Sequence, residues 1–160
     1  MSRPRTSPRR LGLRGEMLLA LLPTLTVLAV LGLVQMLSDQ RLLFASLASS
    51  AFLIYLEPEH ATNRVTTLVV AQMSAAGIGL LTYVALGPGY VSAGIAMVAA
   101  IVLMIVVDAV HPPAVSTALS FALRAGDESN IAIFGLAVVI TALLVALQRA
   151  AVWMLRRYRA

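Results

Sequence analysis

The chain has no cysteine and no lysine, and little charge of either sign: 12% of its 160 residues are charged against 60% hydrophobic. The missing cysteine excludes disulfides, thiolate chemistry and cysteine-based metal sites together. So sparse a charge, with a mean hydropathy of +0.92, excludes a solvated surface and indicates an integral membrane protein. Histidine is scarce too, present only as His60 and His111. No His-Glu-x-x-His or Gly-x-Ser-x-Gly run supports a metal or serine site. No enzyme activity and no cofactor are expected.

What charge there is lies mostly at the ends. All twelve basic residues are arginine, and Arg3, Arg5, Arg9, Arg10 and Arg14 precede the first hydrophobic run. Arg149, Arg156, Arg157 and Arg159 close the last one. Basic flanks of membrane segments set orientation, so both termini are expected in the cytoplasm and the protein in the cell (inner) membrane as a multi-pass chain. The net charge of +5 therefore reads as topogenic, and nucleic acid is not expected as a partner. Met17–Leu37 is long enough to span, and no small-residue cleavage site follows it, so a signal peptide is not expected. The organisation expected is a basic tail over 1–16, a transmembrane domain over 17–155 and a basic end over 156–160.

Four runs suffice for crossing helices of roughly 20 residues: Met17–Leu37, Val65–Ala85, Val91–Val107 and Ile131–Leu155. Two shorter runs, Leu42–Leu56 and Ala114–Leu123, are rich in small residues. The expectation is an all-α membrane protein: a bundle of four long transmembrane helices plus two short or re-entrant ones. The order long, short, long recurs on either side of Gly87-Pro88-Gly89, which implies two three-segment repeats. Short segments at matching places in two halves point to a transport site. Two cytoplasmic ends require an even number of crossings. Either both short segments cross and the halves are inverted, or neither crosses and the halves are parallel; the six-segment inverted form is preferred. Ala71, Ala75 and Gly79, with Ala96 and Ala100, give four-residue spacings of small residues that let helix backbones approach closely.

The sharpest break in the apolar pattern is Asp108-Ala109-Val110-His111-Pro112-Pro113. Two prolines cannot continue the preceding helix, and the residue before a proline is pushed out of helical geometry. Pro112 and Pro113 are suited to opening the next helix. This places His111 at a helix N-terminus, with Ser116 and Thr117 one turn further in. Such a terminus attracts a small anion, and a histidine adds a donor and a proton. An Asp108–His111 pair would orient the imidazole and suit proton-coupled movement. The bland alternative is a solvated Asp108 and a capping His111.

The His111-Pro112-Pro113-Ala114 run, after an apolar helix and before a Ser/Thr/Ala/Leu stretch, resembles the signature of the HPP family of small integral membrane proteins. Phe44-Ala45-Ser46-Leu47-Ala48-Ser49-Ser50-Ala51, then Glu57-Pro58 and Asn63-Arg64, resemble that family's small-residue segment, loop and Pro-Arg-Asn element. Ala48 stands where the family commonly has glycine, and Val65-Thr66-Thr67 where Gly-Gly-His follows; Gln72, one turn on, is the available substitute polar group. The resemblance implies four transmembrane helices and a transporter, with nitrite or another small anion as substrate.

Further candidates follow. Arg64 can clamp an anion, snorkel, or pair with Glu57 or Glu59, and the match to the family arginine tips it towards function. Ser46, Ser49 and Ser50 offer hydroxyls, although such serines more often bond their own backbone. Gln72 is expected to bond across a helix interface. The candidate site is thus Asn63, Arg64, Asp108, His111, Pro112, Pro113, Ser116 and Thr117 with the three serines. The expected function is a transporter or channel for a small inorganic anion, proton-coupled through Asp108 and His111. The expected partners are the lipid bilayer, the anion and further copies in a homo-oligomer. The alternative is a non-transporting assembly subunit.

Overall fold

A computed structural model describes residues 13–37, 46–124 and 129–159, and every regular element among them is helical. The elements are α1 (Leu13–Leu37), α2 (Ser46–Leu56), α3 (Val65–Leu86), α4 (Tyr90–Val106), α5 (Pro113–Leu123) and α6 (Asn130–Arg159), with a 3-10 turn at Ala61–Asn63 before α3. The arginines at 3, 5, 9, 10 and 41, the 42–45 stretch, Asp127 and Glu128 lie outside the described residues.

Around α3, α4 and α5, packing side and lipid side are divided by volume. The seam joining α3, α4 and α5 is almost all alanine: Ala71 and Ala75, then Ala93, Ala96 and Ala100, then Ala114, Ala118 and Ala122. Their large neighbours face out, including Val91, Ile95, Val98, Val102 and Ile105 of α4. In water such a surface would aggregate, but in lipid it costs nothing, and close backbone approach supplies the cohesion. Gly79 marks the tightest approach: a Cβ there would lie 2.5 Å from the Ala118 carbonyl oxygen and 2.7 Å from Phe121 Cβ. A second core joins Leu47, Ala51 and Ile54 of α2 to Leu68, Phe121, Ile140 and Leu144.

Side-chain contacts fix the directions of α2, α3, α5 and α6. Ser46 bonds Thr117, Ser50 bonds His111, and Gln148 of α6 reaches the Pro58 carbonyl. At the other end Arg124 stacks on Tyr83 and bonds Asn130. Consequently α2 and α6 run towards the end that holds Pro58, Thr62 and His111, while α3 and α5 run away from it. The short helices α2 and α5 oppose one another, as do the long helices α3 and α6, a relation that inverted halves require.

Local chemistry sets the lengths. Gly87 and Gly89 adopt φ of +77° and +154°, ending α3 and turning the chain into α4. Then α4 stops after 17 residues: Val107 leaves helical geometry, Asp108 takes φ +51°, and the Ala109 N–H reaches back to Met104 instead of Ile105. Pro113 opens α5 as its first residue. Among the described residues, Val65–Leu86 and Asn130–Trp153 are long and apolar enough to cross a membrane, so two of the four expected long spans are present by that measure. The helices α2 and α5 have 11 residues each, about 16 Å, roughly half a hydrocarbon core.

Candidate functional site

Five side chains from three helices and the His-Pro-Pro break form one buried chain of hydrogen bonds. The Ser46 and Thr117 hydroxyls lie 2.7 Å apart, and Thr117 donates to Gln72 Oε1 at 2.7 Å. Gln72 Nε2 donates to Ser50 Oγ at 3.2 Å, and Ser50 Oγ lies 3.0 Å from His111 Nε2. His111 Nδ1 meets the Thr62 carbonyl at 2.9 Å. All five residues are buried, Ser50 and His111 completely.

A single carbonyl dictates the direction of every bond. Thr62 O can only accept, so Nδ1 carries a proton. With a neutral imidazole, Nε2 then accepts, and Ser50 must donate to it. Ser50 is left to accept from Gln72, so the amide nitrogen faces Ser50 and the amide oxygen faces Thr117. Thr117 donates to that oxygen and in turn accepts from Ser46. Every donor points the same way, from Ser46 to Thr62, an alignment in which neighbouring bonds polarise one another. Protonating Nε2 would turn His111 into a donor to Ser50 and displace the Ser50 proton towards another acceptor.

The other sequence candidates divide into scaffolding and surface. Asn63, 1% exposed, donates through Nδ2 to the Leu53 and Glu57 carbonyls, both at 2.9 Å. It thereby ties the loop after α2 and sets the position of Thr62. Thr67 braces the same loop through the Ala61 carbonyl at 3.0 Å. Pro113 is buried, while Pro112 is exposed. Ser49 is exposed and donates to the Ser46 carbonyl at 3.0 Å. Arg64 and Ser116 are exposed and outside the buried chain.

Two expectations are corrected. Asp108 does not pair with His111: both ring nitrogens bond elsewhere, and Asp108 sits exposed on a left-handed residue where the chain turns out of α4. The N-terminus of α5 does not offer spare backbone donors either. Pro112 and Pro113 have no N–H, and the Ala114 and Val115 amides already bond the carbonyls of His111 and Pro112. The sequence reading placed Gln72 at a helix interface but left it out of the site. Its signal was the amide in an apolar span. The Thr62 carbonyl had no sequence signal at all.

Two spaces adjoin the chain. A cavity of ≈ 10 Å³ touches Ser46, Gln72 and Thr117, with Thr141 of α6 on its wall, room for about one water. At the His111 end a wider pocket of ≈ 230 Å³ is lined by Glu57, His60, Thr62, Asn63 and Pro112 among others.

A helical bundle with an alanine seam, many large apolar residues on its outer face and a polar chain through its middle defines a membrane-embedded protein. A family model described as HPP, transmembrane region, matches residues 10–159, and the chain belongs to this family. Neither the curated proteins nor the solved structures provide a match.

Proposed function

We propose that the protein carries a small inorganic anion, with nitrite as the leading candidate, across the cell (inner) membrane as a multi-pass protein with both termini cytoplasmic. The observation that supports this is the Ser46–Thr117–Gln72–Ser50–His111 chain, buried in an apolar bundle and ending beside a pocket at the His111 end. Polar groups inside a membrane domain are expensive and are usually functional. Inverted halves with short helices at matching places are a known transporter architecture. In this reading the hydroxyls and the amide bind the anion by exchanging their mutual bonds for bonds to it. Proton coupling acts through His111 and Ser50, without Asp108. A pathway in so short a chain favours a homo-oligomer.

Nitrite uptake into reconstituted vesicles is the test, with protein-free vesicles alongside because nitrous acid crosses lipid unaided. Wild-type protein should accelerate uptake and His111→Ala should remove most of that increment while remaining inserted. A second reading, a non-transporting assembly subunit, draws on the chain being fully satisfied around a cavity for one water. It predicts uptake equal to protein-free vesicles for every anion tested.

A further inference from the structure

Thr141 is buried on α6, and its hydroxyl bonds no group among the described residues. Elsewhere in the bundle Thr24, Thr26, Ser74 and Thr82 turn their hydroxyls onto a carbonyl of their own helix, three or four residues back. Thr141 instead lines the ≈ 10 Å³ cavity that also touches Ser46, Gln72 and Thr117. A hydroxyl buried with no partner is costly, because nothing replaces the water it has lost.

The cavity lies where the row of hydrogen bonds has acceptors to spare. Ser46 gives its proton to Thr117, so its own oxygen keeps its lone pairs free. Gln72 Oε1 accepts from Thr117 and has a second lone pair. The rest of the cavity wall is apolar. The volume is about that of one probe sphere, which admits a water and excludes an oxyanion as large as nitrite. A buried water typically makes about three hydrogen bonds. The wall offers that number: one from the Thr141 hydroxyl, one to Ser46 Oγ and one to Gln72 Oε1.

We propose that this cavity is the binding site of a single water molecule, held by Thr141, Ser46 and Gln72. The water accepts from Thr141 Oγ1 and donates to the other two oxygens, so Thr141 becomes the head of the row. The direct bonds of the row join α2, α3, α5 and the His-Pro-Pro break; the water adds α6. The site requires no flux, so it belongs equally to a transporter and to an assembly subunit.

Thermal unfolding of the full-length protein in detergent tests this, with Thr141→Val removing the hydroxyl at nearly constant shape. With the water in place, Thr141→Val leaves it one bond short and should lower the Tm. In an empty cavity the same change removes an unpartnered hydroxyl and should raise the Tm. Because the water is shared, Thr141→Val should lower the Tm clearly less in a Ser46→Ala background, where a second partner is already gone. If Ser46→Ala does not fold, Gln72→Leu removes the other acceptor and serves as the background. A raised or unchanged Tm for Thr141→Val overturns the proposal, because the cavity is then dry. An equal loss in both backgrounds also overturns it, assigning the Thr141 hydroxyl a partner outside the row.

Discussion

His111 illustrates how far a residue can be read before its contacts are known. An ionisable side chain in an apolar run, followed by two prolines, was legible as a joint and a site candidate from the sequence. Its partners were not. Asp108, three positions away, was the near choice, while Ser50 and Thr62 are far along the chain and depend on how α2 and its loop fold back. Gln72→Leu should separate the Ser46–Thr117 pair from Ser50–His111. In membrane proteins such bonds average about 0.6 kcal/mol each, so losing two should lower stability by about 1 kcal/mol in reversible unfolding, and the flux increment should fall with it. Asp108 should behave otherwise. Asp108→Asn, which tolerates a left-handed backbone, should leave stability and uptake unchanged, whereas Asp108→Val should cost about 1–2 kcal/mol through its φ of +51°.

At the scale of elements, small residues every four positions foretold the seam, and Ala71, Ala75, Gly79, Ala96 and Ala100 are all buried. The run read as Val91–Val107 is α4 within one residue at each end, Tyr90–Val106, although composition does not register the left-handed Asp108 that ends the helix. The α3–α5 approach at Gly79 makes a sharp prediction. Gly79→Ala must push α5 away from α3, costing about 1–3 kcal/mol as overpacking does. Gly77→Ala, two residues away with nothing within 4 Å of its Cβ position, should be neutral or slightly stabilising. The strain should also reach the site, because Thr117 lies on the helix that has to move. Equal melting temperatures for the two variants would refute this account of the seam.

For the whole molecule, hydropathy left the inverted and parallel arrangements both standing. Contacts between distant segments, above all Gln148 with Pro58 and Tyr83 with Arg124, set the relative directions of the helices. The absence of cysteine provides a clean test with single cysteines and an impermeant thiol reagent. Glu59→Cys and Arg149→Cys, both at exposed positions, should label from one face of the membrane. Pro88→Cys and Ser129→Cys, also exposed, should label from the other. Labelling of Glu59→Cys and Arg149→Cys from opposite faces would restore the parallel, four-span arrangement.

The shared sense of the hydrogen bonds from Ser46 to Thr62 has an electrical consequence. A row of aligned donors is a dipole, and this one follows α2 into the bundle instead of lying across it. The Thr62 carbonyl holds that sense, because reversal would set a bare Nδ1 lone pair against the carbonyl oxygen. The dipole is therefore permanent, with its positive end towards the pocket beside Thr62.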